Sequence, residues 1–172
     1  KFLIARLTKS FSVREIAKNI AQDYKIIYDS VQNLVKKGFV EKEKKGNITF
    51  CRINFTAELG VLSYIGYLNA ADFLQRFREI RLISQDILNA IPFYSFTMII
   101  FGSYVKGNYK KSSDLDLLFL IPDKKFENEI VTAIATIERI SPIGLHEIIL
   151  TYNEFGEMLK ERKENVTKKV LE

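Results

Sequence analysis

Residues 101–120 read FGSYVKGNYKKSSDLDLLFL, and they place two carboxylates, Asp114 and Asp116, one residue apart at the head of an apolar run. Such a run predicts a strand, whose side chains alternate between faces. Asp114 and Asp116 therefore share one face, with their backbone positions about 6–7 Å apart. Leu115, Leu117, Phe119 and Ile121 take the other face and the core. Two carboxylates on one face repel each other and are costly to bury. A divalent cation offsets both effects. Mg²⁺ takes hard oxygen ligands, commonly one or two carboxylates plus substrate phosphates. Upstream, Gly102 and Ser103 end one apolar strand and open a helical turn. A helix N-terminus presents free N–H groups and partial positive charge, which suit phosphate. Gly102 admits close approach of the backbone, and Ser103 adds a hydroxyl donor.

The rest of the chain divides by charge. Residues 1–55 carry a net +7, whereas the whole chain of 172 residues carries +5, so the basic excess is N-terminal. This asymmetry predicts two modules with different partners. In the first, Ser12 stands three residues before Glu15, a capping-box start for a short helix. DYKIIYDSVQNLVKKG then predicts a second helix ended by Gly38. Two strand signals follow, from Phe39-Val40 and from Ile48 onward, around a turn at Lys45-Gly46-Asn47. Residues 56–91 predict two linker helices with a break near 70–77. One apolar stripe is Leu59, Leu62, Ile65, Leu68 and Phe73, and the other is Ile80, Ile83, Ile87, Leu88 and Ile91. After Pro92 the pattern becomes strand–helix–strand–helix–strand–helix, with the closing helix over NEFGEMLKERKENVTKKVLE capped at Asn153. The single cysteine, Cys51, excludes an internal disulfide and reads as an apolar filler. No run approaches a membrane span and no signal pattern opens the chain, so a soluble cytoplasmic protein without a membrane partner is expected.

The Gly-Ser pair, ten intervening residues and then Asp-Leu-Asp with apolar residues resemble the signature of the polymerase-beta-like nucleotidyltransferase superfamily. The likeness is greatest to its small prokaryotic minimal members and covers about residues 92–155. It implies that Gly102 and Ser103 bind nucleotide phosphates, with Lys106 one turn along. It implies two Mg²⁺ ions, or Mn²⁺, on Asp114 and Asp116, and an NTP such as ATP as substrate. The family also uses a third carboxylate on a neighbouring strand. Glu147, in GLHEIILT, is the acid in that strand and is expected to complete the set. His146 then points to the opposite face as a structural residue. Lys110 and Lys111 lie in a loop beside the site.

Residues 1–55 resemble a winged helix-turn-helix domain. That likeness implies a DNA partner met by Lys25, Tyr28, Asp29 and Gln32 of the second helix and by Lys42, Lys44, Lys45 and Asn47 of the wing. The fold class is thus α/β (α+β): a winged helix over 1–55, linker helices over 56–91, and a small mixed transferase sheet with flanking helices over 92–172. The expected function is Mg²⁺-dependent transfer of a nucleoside monophosphate from an NTP to an acceptor hydroxyl, coupled to DNA binding. Two alternatives stand beside it. One is a DNA-binding transcriptional regulator that senses nucleotide through a transferase-like domain. The other is an antitoxin that nucleotidylates a helical toxin partner of the HEPN type. A homodimer through residues 56–91 is a further expectation, since an amphipathic helix standing clear of a core needs a partner.

Overall fold

Ser12 and Glu15 close the capping box that their spacing predicts. The Ser12 hydroxyl accepts from the Glu15 amide at 3.2 Å, and the Glu15 carboxylate accepts from the Ser12 amide at 2.7 Å. The Ser12 amide foremost, and then the Ser12 hydroxyl, which donates to the same carboxylate at 2.8 Å, hold the Glu15 carboxyl below its ordinary range, and these bonds close the box. They open α1 (Val13–Asn19) in a computed structural model that describes residues 1–7, 9–93, 95–161 and 165–171, with Leu59 described by its backbone alone. The described residues form two units, 1–72 joined by Leu171, and Phe73–Val170. The division falls within the stretch read as linker helices.

In the first unit α2 (Tyr24–Lys36) is capped by Asp23, which accepts from the Lys25 amide at 2.8 Å. Gly38, at φ +78°, ends the helix and turns the chain into β2 (Val40–Lys45). β3 (Ile48–Ile53) returns antiparallel around Gly46. A two-residue strand, β1 (Phe11–Ser12), adds to the other edge of β3 and gives the order β1-β3-β2. It is too short to show a period in the sequence. Val13, Ile16, Ile27, Val31, Val40 and Ile53 form the core around Cys51, which is fully buried and whose thiol burial pushes up. Cys51 is the apolar filler that the sequence predicts.

α3 (Leu59–Arg76) and α4 (Arg78–Ala90) are separated at Phe77, inside the break expected near 70–77. The second unit holds α4, β4 (Thr97–Phe101), the single turn α5 (Ser103–Lys106), β5 (Leu115–Ile121), α6 (Glu127–Glu138), β6 (Leu145–Thr151), α7 (Tyr152–Lys160) and, as far as Val170, α8 (Val166–Leu171). Its sheet runs β4-β5-β6, with β4 antiparallel and β6 parallel to β5, so it is mixed as expected. Ile80, Ile83 and Ile87 of α4 and Ile130 and Ile134 of α6 pack on Leu115, Leu117 and Phe119. Leu88 departs from the expected stripe and is exposed. For Leu59 the stripe falls outside the described side chains.

β5 is covered on both faces. Leu118 and Leu120, on the aspartate side of the strand, are also buried. α7 lies against β5 and β6, and its Tyr152 hydroxyl is 3.3 Å from Thr97 Oγ1, a residue in register with Leu120. Charge on β5 is therefore confined to its N-terminal end. The closing helix differs from expectation. It divides into α7 and α8, and residues 162–164 of the expected helix lie outside the described residues. Its cap is Thr151, in a capping box with Glu154, rather than Asn153. Among the described residues no helix is long and apolar enough to cross a membrane.

Leu117 is fully buried between the sheet and its helices. Leu117→Ala is expected to cost about 3 kcal/mol, from lost transfer energy and a residual cavity, read as a lower urea midpoint at unchanged slope.

Candidate active site

Asp116 sits at the first pleat of β5, opposite Phe101 of β4 on one side and His146 of β6 on the other. The next residue after Phe101 is Gly102, which turns the chain at φ +77° into α5. A Cβ placed on Gly102 would stand 1.9 Å from Asp116 Oδ2. Only glycine fits there, both for its backbone angle and for the space its missing side chain leaves. Asp114, just before β5, has a matching neighbour. A Cβ on Gly144 would stand 2.2 Å from Asp114 Oδ1. The Leu115 amide donates to the Gly144 carbonyl at 2.8 Å and holds that strand end in register. Each aspartate thus packs against a glycine, Asp116 on the β4 side and Asp114 on the β6 side. Gly144 was not singled out in the sequence. Its signal there is only that a glycine stands immediately before the third strand.

The side chains on β6 differ from the sequence reading. β6 pairs with β5 in parallel register, Asp116 with His146 and Leu117 with Glu147. Residues paired across a ladder share a face. Glu147 therefore lies on the face of Leu117, not on that of the aspartates, and it does not join them. His146 takes the place expected for Glu147, on the face of Asp116. Its Nδ1 donates to Asp116 Oδ1 at 2.9 Å, with the imidazole 59% and the carboxylate 27% exposed. The alternation within each strand is as expected. The offset between the two strands is what moves Glu147 away.

The remaining residues of the site fall where the spacing puts them. Ser103 is half-buried at the start of α5 and Lys106 is exposed at its end. Tyr104, between them, is buried and directs its hydroxyl to the Ser113 carbonyl at 3.3 Å. Burial raises its phenol above the ordinary range, with the Tyr109, Glu79 and Asp114 charges adding to it. Asp114 is exposed and Asp116 half-buried. Asp114 and Asp116 are the hard-oxygen donors here that could hold a divalent ion, with its other ligands to come from phosphate and water. Among the described residues no group of three or more His, Cys, Asp or Glu side chains forms a complete ligand set.

The first unit presents a second polar surface, a cleft of about 470 Å³ between α2 and the wing. Tyr28, Gln32 and Lys42, expected there, line it together with Arg14 and Tyr24, which the sequence reading passed over. Tyr24 and Tyr28 stack at 6.1 Å, one helical turn apart and both exposed. Lys42 donates to Gln32 Oε1 and ties the wing to α2. Strand alternation separates the wing lysines. Lys42 and Lys44 share one face, whereas Lys45 shares the other with Glu43, to which it pairs at 3.4 Å. Lys25 is exposed in the first turn of α2.

The two glycines are expected to separate under substitution. Gly102→Ala combines a strained backbone with a collision on Asp116, so it should cost at least about 1 kcal/mol of stability and weaken Mn²⁺ binding. Gly144→Ala meets only an exposed carboxylate that can swing aside, so it should weaken Mn²⁺ binding while its thermal midpoint stays near wild type. Thermal melts and calorimetric Mn²⁺ titration of both variants check this.

Comparison with known proteins bears on both units. Residues 5–56 match the family model described as sugar-specific transcriptional regulator TrmB. No curated protein matches the chain. Among solved structures it is similar to TrmBL2, an archaeal chromatin protein described as showing a novel mode of DNA binding. The identity is 17%, over 93% of this chain and 68% of that one, with a TM-score of 0.27. Residues 80–171, more than half of the chain and the part that holds both aspartates and both glycines, match the nucleotidyltransferase domain model. The chain belongs to the nucleotidyltransferase domain family.

Proposed function

We propose that the chain transfers a nucleoside monophosphate from an NTP to an acceptor hydroxyl, with Mg²⁺ held by Asp114 and Asp116, and that its winged helix binds DNA. The observation that carries the catalytic reading is the pair of carboxylates, each packed against a glycine at one end of β5. Gly102 and Ser103 receive the triphosphate, since the first backbone N–H groups of a helical turn lack partners within it. Lys106, exposed one turn on, adds a cation to the same phosphates. Mg²⁺ or Mn²⁺ bound at the pair supplies charge neutralisation for the leaving group and lowers the pKa of the acceptor hydroxyl. The acceptor oxygen bonds to the α-phosphorus as the α–β bridging bond breaks. Pyrophosphate leaves with the electron pair, and the hydroxyl proton passes to solvent. His146 is a positioning residue: it fixes Asp116 Oδ1, while Oδ2 faces Gly102.

DNA binding is supported by the match of residues 5–56 to a transcriptional regulator family and by the basic excess of that unit. Lys25, Tyr28 and Gln32 on α2 face base edges in this reading, and Lys42 and Lys44 meet phosphate. Lys45 contributes less, because it already pairs with Glu43.

Incubation with α-labelled NTPs and Mg²⁺ is expected to label an acceptor. Asp116→Ala should reduce labelling by at least about 10²-fold. His146→Ala should cost about 10- to 100-fold, as loss of a group orienting a ligating carboxylate does. Glu147→Gln should keep wild-type turnover. A large loss in Glu147→Gln with none in His146→Ala would sink this assignment. For DNA, replacing Lys42 and Lys44 by Ala should lower the slope of log K against log salt by about 0.9 per lysine, measured by anisotropy on duplex DNA.

A further inference from the structure

The first unit contains a second cavity, of about 460 Å³, on a different face of α2 from the cleft of Tyr24, Tyr28 and Gln32. Every residue on its walls belongs to that unit. α2 supplies Ile27, Val31 and Leu34, and α3 supplies Val61, Leu62 and Ile65. The packing of α3 explains the space. That helix is apolar on most of its sides, a pattern that normally calls for burial. Yet none of residues 60–76 is buried. Val61, Leu62 and Ile65 are each half-buried, and the cavity lies against them. Leu3, Ile16, Val40 and Ile53, all buried, complete the apolar walls. Such walls offer water few partners and favour an apolar occupant. The volume lies within the range of small-molecule sites.

The polar groups on the walls are few and carry one sign. They are Lys1, Ser30 and Lys37, and among the described residues no Asp or Glu lines the cavity. Two of the three are engaged. The Ser30 hydroxyl donates to the Ile26 carbonyl at 2.8 Å, and the Lys1 ammonium pairs with Asp72 at 2.6 Å. Lys37 is exposed and has no ion-pair partner among the described residues. An apolar space with one unengaged cation selects its occupant by charge as well as by shape. An alkyl chain matches the walls, and an anionic head matches the Lys37 ammonium.

We propose that this cavity binds a small amphipathic anion, a medium-length alkyl chain with a carboxylate head, the chain lying between α2 and α3 and the head at Lys37. The binding rests on neither the transfer reaction nor the DNA reading above.

The test is calorimetric titration of the full chain with butanoate, hexanoate and octanoate, and with octanol as the neutral probe. Each methylene added from butanoate to octanoate should tighten binding about threefold to fourfold. Lys37→Gln, at an exposed position outside the core, should weaken octanoate about threefold and leave octanol unchanged. Val61→Phe puts a ring into the space and should weaken both probes about tenfold or more, by displacing several methylenes. Ile65→Phe should do the same from the next turn of α3, and it replaces Val61→Phe if that variant melts early. Affinity that does not rise with chain length would overturn the proposal. So would wild-type octanoate affinity in both phenylalanine variants. Octanoate and octanol weakened equally in Lys37→Gln, or neither weakened, would remove the anionic head and overturn it as well. A dimer that dissociates as octanoate binds, read by analytical ultracentrifugation, would give the cavity to a second copy of the chain and overturn it too.

Discussion

The contact between Gly102 and the Asp116 carboxylate is the constraint on which the second unit depends. β4 and β5 pair up to Phe101 and Asp116, and the next residue of β4 must turn away without a side chain, because a Cβ there would stand 1.9 Å from Oδ2. The same turn starts α5 and places Ser103 beside the carboxylate. From Leu117 onward β5 is buried on both faces and forms a rigid support. Charge is tolerated only at the open end of that support, where Asp114 and Asp116 are reached from solvent and braced by glycines on both flanks.

Much of this was legible in residues 101–120. Period-two alternation put both aspartates on one face, and Gly102-Ser103 marked a strand end beside them. What could not be read is the phase between strands. A strand shows which of its residues share a face, but its parallel neighbour can slide by one residue and exchange every side chain. The single-residue offset that pairs Asp116 with His146 is set by the crossover through α6 and by packing, and it sends Glu147 to the face of Leu117. Gly144 was obscure for the same reason, since its close approach to Asp114 is a fact of pairing. Leu118 and Leu120 share the aspartates' face by alternation, yet they are buried, with α7, later in the chain, lying against β5.

The first unit was legible where local chemistry decides: the Ser12–Glu15 box and the Gly38 stop are both short-range. β1 has two residues and exists only by pairing with β3. The wing lysines, grouped as one basic patch by composition, are divided by pleat into Lys42 and Lys44 on one face and Lys45 with Glu43 on the other. The two units therefore present different chemistries. One offers lysines and stacked tyrosines on a helix and wing. The other offers a carboxylate pair flanked by the Gly102-Ser103 turn and by Gly144.

The central claim is that Asp114 and Asp116, assisted by His146 and not by Glu147, form the metal and nucleotide site. It is tested most directly by a crystal structure with Mn²⁺ and a non-hydrolysable NTP, using the anomalous signal to place the ions. The account predicts anomalous density against both aspartates, triphosphate density at Gly102-Ser103, and His146 still hydrogen-bonded to Asp116. Mn²⁺ held by Glu147, or an aspartate pair without density at saturating Mn²⁺ and nucleotide, would contradict it.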